Sequence, residues 1–79
     1  MKLLVRNLPR TMSEFQLREM FQQHGSFKYC KLVIDEITGE SKGFGFVEML
    51  DEDEALAAIA AEDGKKFGKD KIRVKATEY

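Results

Sequence analysis

The most informative segment of the chain is Lys42-Gly43-Phe44-Gly45-Phe46-Val47-Glu48-Met49. In a strand, successive side chains point to opposite faces. Lys42, Phe44, Phe46 and Glu48 then point one way; Gly45, Val47 and Met49 point the other. Val47 and Met49 make an apolar core side, so Phe44 and Phe46 are left on the opposite face beside a cation. Two aromatic rings held toward water are costly unless something covers them. A nucleic-acid base is one such cover: it stacks on a ring for ~1–3 kcal/mol, and a neighbouring lysine can meet a phosphate. Two blander readings stand beside this one. The strand could be buried on both faces, although its core side is already supplied. Alternatively, a terminal segment or a protein partner could cover the rings. Only Thr77, Glu78 and Tyr79 follow the last predicted strand, and Tyr79 is the residue able to fold back.

Working outward, the pattern alternates between strand and helix periods. Lys2 to Arg6 reads as a strand, ended by Asn7-Leu8-Pro9 because proline removes a donor and restricts its neighbour. Ser13 and Gln16 have capping-box spacing, and Leu17, Met20, Phe21 and His24 follow on one helical stripe up to Gly25. Phe27 to Ile34 is a second strand, with Cys30, Leu32 and Ile34 on one face and Tyr29, Lys31 and Val33 on the other. A turn-rich connection through Thr38-Gly39 leads to the third strand, Gly43 to Met49. Asp51 is an N-cap for a second helix that runs to about Ala61, with Ala55, Ala58 and Ile59 inward and Gly64 as the stop. Lys65 to Asp70 reads as a polar hairpin or loop, and Lys71 to Ala76 as the last strand, with Ile72 and Val74 inward. The order βαββαβ is the split βαβ, ferredoxin-like plan. It predicts one α+β domain over residues 1–79: a four-stranded antiparallel sheet with two helices on one face. The other sheet face is left open, and it carries Leu4, Arg6, Tyr29, Lys31, Val33, Lys42, Phe44, Phe46, Glu48, Lys71, Arg73 and Lys75.

The octamer resembles the signature of the RNA recognition motif family, matching it at seven of eight positions. Met49 stands where that family usually has an aromatic residue, on the core side. Leu3-Leu4-Val5-Arg6-Asn7-Leu8 resembles the family's hexamer on the first strand, and the separation of the two segments is similar. The turn Asp35-x-x-Thr38-Gly39 fits as well. The resemblance spans essentially the whole chain. It implies binding of about two to four nucleotides of single-stranded RNA on the sheet. Phe44 and Phe46 would stack bases. Leu4, Arg6, Tyr29, Lys31, Lys42, Arg73 and Lys75 would complete the RNA-binding set, and main-chain groups after the last strand would read base edges. Leu4 replaces the aromatic residue usual at the second hexamer position, so one of the family's three stacking platforms is absent. The expected affinity is correspondingly modest and the sequence preference loose. A chain that is one bare motif is similar to the small single-motif RNA-binding proteins of bacteria. The choice between RNA and single-stranded DNA rests on contacts to the 2′-hydroxyl.

Composition bounds the alternatives. Net charge is −1, not the strongly basic balance of a nonspecific nucleic-acid binder. The charges are nevertheless segregated. Asp51, Glu52, Asp53, Glu54, Glu62 and Asp63 cluster in one stretch, and Lys65, Lys66, Lys69, Lys71, Arg73 and Lys75 in the next. A basic sheet and acidic helices would reconcile a neutral total with an RNA-binding face. No apolar run approaches the ~20 residues of a membrane span, and the start is charged too soon for a secretory signal. Cys30 is the lone cysteine, which excludes an internal disulfide and points to a reducing, cytoplasmic setting. With one Cys and one His, no metal-ligand spacing exists, and no cofactor is expected.

Two rival functions share the fold. A protein-interaction module is favoured by Leu4 and by the neutral charge. An enzyme of the acylphosphatase kind would need an anion-binding loop after the first strand, but Asn7-Leu8-Pro9-Arg10 has no glycine to let backbone N–H groups converge on a phosphate. Nor is there a nucleophile–base pair, so no catalytic residue is assigned. Phe15 and Leu56 lie off the inward stripes of their helices, and Glu62 falls where the second stripe calls for an apolar residue. Phe15 and Leu56 read either as isolated surface apolars or as a weak protein or self-association contact.

Overall fold

Two capped helices and a sheet follow from the local signals. Ser13 adopts an extended backbone and accepts from Gln16 N–H at 3.2 Å, while the Gln16 side chain accepts from Ser13 N–H at 2.9 Å. This reciprocal pair starts α1, Glu14–Gln22, and occupies two otherwise orphan donors. Asp51 likewise accepts from Glu54 N–H at 3.0 Å and starts α2, Glu52–Glu62, whose acidic first turn suits the positive end of the helix dipole. The computed structural model describes residues 1–77. Its strands are β1 (Lys2–Arg6), β2 (Phe27–Ile34), β3 (Ser41–Met49), β4 (Lys66–Phe67), β5 (Asp70–Lys71) and β6 (Arg73–Thr77).

Four strands form an antiparallel sheet in the order β2-β3-β1-β6. Each helix connects two strands that are not neighbours: α1 links β1 to β2 across β3, and α2 links β3 to β6 across β1. This interleaving puts β1 and β3 at the centre of the sheet, side by side. The hexamer and octamer are thereby brought together although some forty residues separate them. Both helices pack on the face made by Leu3, Val5, Cys30, Leu32, Val47, Met49 and Val74, and they contribute Leu17, Met20, Phe21, Ala55 and Ala58. Phe21 and Leu17 are fully buried, each contributing about 1.5–3 kcal/mol. The two small alanines let α2 lie close to the sheet. The fold is the split βαβ sandwich expected from the element order.

The structure corrects several expectations. The last strand is Arg73–Thr77 rather than Lys71 to Ala76. Lys71 belongs instead to a two-stranded hairpin, paired with Lys66, while Phe67 pairs Asp70. The hairpin forms because Gly68 takes φ +64° at its tip, and Ile72 closes its base through Gly64 N–H and the Lys65 carbonyl. Lys71 is therefore not part of the open face. Ile34 is exposed rather than in the core, because the β2–β3 register shifts between Leu32 and Ile34. A second shift, between Phe27 and Tyr29, sends Phe27 toward the helices, where Arg18 lies over its ring at 5.6 Å, and leaves Tyr29 on the other face. Glu62 is not a surface oddity: it is buried, sharing 2.9 Å with His24 Nε2 and accepting from Gln23 Nε2 at 3.2 Å. His24, at the end of the α1 stripe, is thus half-buried and paired with Glu62. α1 ends at Gln22 with Gln23 as its cap, so Gly25 lies just beyond the end. Phe15 and Leu56 are exposed on the helices.

Candidate nucleic-acid interface

The open face is built by the residues that alternate with the core. On β1 these are Lys2, Leu4 and Arg6, since Leu3 and Val5 are buried. On β3 they are Lys42, Phe44, Phe46 and Glu48, since Gly45, Val47 and Met49 are buried. β2 adds Tyr29, Lys31 and Val33, and β6 adds Arg73, Lys75 and Thr77.

Register turns these into rows across the sheet. Lys31, Phe46, Leu4 and Lys75 form one row, with a cation at each end and an apolar pair between. Tyr29, Glu48, Lys2 and Thr77 form the next. Arg6 faces Arg73 in a third. Phe44 and Phe46 meet edge to face, with centroids 6.2 Å apart and planes at 89°. The rings are half-buried, partly by each other, which reduces the cost of holding them on an open face. Lys2 Nζ lies 4.9 Å from the Phe46 centroid and 6.0 Å from that of Tyr29. A cation over an aromatic face is attracted by its quadrupole, so this lysine also holds the rings in place. Lys2 is absent from the sequence-derived set, although the alternation that exposes Leu4 and Arg6 exposes Lys2 equally.

Gly45 shows why the octamer needs glycine between its aromatics. A Cβ there would sit 2.6 Å from the Lys31 carbonyl oxygen and 3.1 Å from Leu17 Cδ2. Only a bare Cα lets β2 and α1 close on this point of β3. Gly43 takes φ +84°, in the left-handed region glycine tolerates, and its carbonyl accepts from Leu8 N–H at 2.8 Å. The loop after β1 is thereby fastened to the start of β3.

The nine sequence-predicted RNA-binding residues all project from this face, but not in equal freedom. Arg73 Nε donates to Asp63 Oδ1 at 3.2 Å, tying the guanidinium to the sheet edge. Asp63 also accepts from Val74 N–H at 2.9 Å, on the free side of β6. That backbone bond, with Arg73 beside it, holds the Asp63 carboxyl below the usual carboxylate range. Asp35 is lowered in the same direction, because its carboxylate accepts from Thr38 and Ile37 N–H in the β2–β3 turn. Cys30 lies under the sheet, where burial, reinforced by Glu14, pushes its thiol up to about 11. A thiol so placed is a packing group with little thiolate at neutral pH. Tyr79 and the main chain beyond Thr77, expected to cover the sheet or read bases, lie outside the described residues. Among the described residues, no three His, Cys, Asp or Glu side chains gather as a metal site, and no helix is long and apolar enough to cross a membrane.

An α+β sandwich with paired aromatics and flanking cations on the sheet face turned away from its helices defines a class of nucleic-acid-binding domain. Residues 3–73 match the RNA recognition motif, and the chain belongs to that family. It is 39% identical over 77 residues to the chloroplastic RNA-binding protein CP31B of Arabidopsis thaliana, covering 98% of this chain and 27% of that protein. The chain spans a third or less of the curated relatives it matches. Among solved structures, the RNA binding protein PG1 superposes with a TM-score of 0.91 at 39% identity, covering all of this chain and 96% of that one. A Sex-lethal protein–RNA complex superposes with a TM-score of 0.93 at 27% identity, covering 99% of this chain and 47% of that one.

Proposed function

We propose that this chain binds single-stranded RNA by stacking bases on Phe44 and Phe46, with phosphates and base edges met by Arg6, Lys31, Lys42, Arg73 and Lys75. Leu4 and Tyr29 press against the same bases. The observation that carries the reading is the edge-to-face ring pair on central strand β3, bordered by Lys31, Lys75 and Lys2. Membership of the family and the likeness to a protein solved with RNA support it. Stacking is tolerant of base identity, because every base has a π-face, so the sequence preference is loose. Single-stranded DNA offers the same faces and phosphates and binds through the same residues. The chain acts as one binding unit rather than an enzyme.

The test is a fluorescence titration of a short random-sequence RNA, comparing wild type with the Phe44→Ala, Phe46→Ala double variant. Circular dichroism establishes that both are folded. Loss of two stacking rings at ~1–3 kcal/mol each predicts an affinity drop of tenfold or more. Equal binding by the folded double variant would remove stacking from the account. The free, buried thiol of Cys30 supports a reducing compartment, and the cytoplasm is the one proposed; cell fractionation tests it. Phe15 and Leu56, 67% and 51% exposed, support a weak protein or self-association contact on the helical side. A scattering mass that stays monomeric at high concentration, with Phe15→Ser no different, would argue against self-association.

A further inference from the structure

Beside Phe44 the sheet dips into a hollow of about 420 Å³, lined in part by Arg6, Arg10, Lys42 and Asp70. Arg10 belongs to the loop after β1, far in sequence from the octamer. The loop is folded onto β3 by the hydrogen bond from Leu8 N–H to the Gly43 carbonyl, 2.8 Å long. Arg10 Nε then lies 3.9 Å from the point a Gly43 Cβ would occupy, so the guanidinium rests against the bare backbone of the octamer. Asn7 takes φ +60° at the turn that leaves β1, and its Nδ2 donates to the Lys71 carbonyl at 2.8 Å, fixing the wall opposite. Asp70 is the only acid among the hollow's lining residues. Among the described residues, no ion pair within 4 Å engages Arg6, Arg10 or Lys42, and Lys42 acts on the Asp35 carboxylate only through space.

Three exposed cations against one acid, around a hollow that borders a stacking ring, suit one anionic group attached to a stacked base. We propose that this hollow is a phosphodiester subsite in which Arg10, with Arg6 and Lys42, holds the backbone phosphate next to the base on Phe44. The inference rests on the RNA-binding reading and adds Arg10 to it as a contact residue. Arg10 suits the task because its planar fork donates two parallel hydrogen bonds to phosphate oxygens, whereas Lys42 and its strongly hydrated ammonium act as a point charge. The loop lacks the glycine that would let its own N–H groups cradle an anion, and the structure uses side-chain cations in their place.

The experiment measures binding of a short random-sequence single-stranded RNA across a range of salt, for wild type, Arg10→Ala and Arg10→Lys. The Phe44→Ala, Phe46→Ala variant is the reference for stacking. Arg10→Ala is expected to weaken binding several-fold at low salt. It should also flatten the plot of log affinity against log salt, by up to about 0.7, the share of one phosphate contact on a single strand. Arg10→Lys should keep the slope and recover part of the affinity. A second arm replaces single phosphates by neutral methylphosphonates in one oligonucleotide of fixed sequence. One replacement should weaken wild type and weaken Arg10→Ala less, since Arg6 and Lys42 still face that phosphate. If Arg10→Ala matches wild type in affinity and slope while the double aromatic variant still loses binding, the subsite is wrong and the stacking face stands. If wild type itself does not bind, both fall.

Discussion

Glu62 is the residue whose setting departs furthest from its sequence signal. A carboxylate at an inward position of a helix rich in alanine looks like a misplaced surface charge. Its side chain is in fact sealed between α1, α2 and the hairpin, within reach of three donors. A carboxylate oxygen only accepts, so His24 Nε2 carries the hydrogen between them. Lys65 Nζ stands 3.5 Å from the second oxygen, which has no hydrogen bond. Glu62→Ala strands the His24 and Gln23 donors and opens a void, so it is expected to cost about 1–3 kcal/mol. Glu62→Gln, which keeps the shape and one acceptor, should cost less. Urea unfolding midpoints distinguish the two, and equal stability of Glu62→Ala and wild type would show that the cluster contributes nothing. RNA affinity of both folded variants should match wild type, since Glu62 lies on the helical side of the sheet. At the binding face, the individual residues are more legible: Phe44, Phe46, Lys42 and Arg6 stand where alternation puts them.

At the scale of elements, the two central strands show what each glycine and each register shift does. Gly45 is the point where three elements converge, and Gly45→Ala must displace the Lys31 carbonyl or Leu17. Overpacking of this kind is expected to cost about 1–3 kcal/mol, read as a lowered thermal midpoint. An unchanged midpoint would mean that β2 can retreat from β3 without loss. The shift between Phe27 and Tyr29 could not be read from periodicity, because residues two apart are expected to share a face. The irregularity at Lys28 separates them, so that one ring packs under α1 and the other joins the binding face. The sequence from Lys65 to Asp70 carries only the signals of a polar hairpin or loop. The β4–β5 pairing draws Lys71 out of the sheet, because Ile72 fills the core and fixes the strand's start after it.

For the whole molecule, the distribution of charge matters more than its sum. Acids concentrate on α2, its flanks and the β2–β3 turn, while Lys2, Arg6, Lys31, Lys42, Arg73 and Lys75 border the open sheet. With a net charge of −1 the long-range attraction to a polyanion is weak, so affinity has to come from short-range contact at the rings and the cations that border them. Duplexes hide their base faces in the stack, and an A-form groove offers the sheet no ring to cover. Single-stranded RNA is therefore expected to bind at least tenfold more tightly than a duplex of the same sequence at physiological salt. A competition titration measures the ratio, and near-equal affinities would mean that phosphates alone are recognised.

The element order, the N-terminal caps of both helices, most of the core stripes and the side of the sheet that faces away from the helices are all legible in the sequence; Ile34 and Glu62 are the exceptions in the stripes. The legible features are local and periodic properties: hydrogen-bond capping acts over three residues, and strand alternation is carried along one chain segment. Which distant residues meet is a matter of the folded chain. Burial of Glu62 against His24, the seat of Lys2 over Phe46, the tether of Arg73 to Asp63 and the approach of Arg10 to Gly43 each join elements far apart in the chain. The physical reason is that such contacts depend on strand register and on the packing of loops against β3, and neither leaves a period in the sequence.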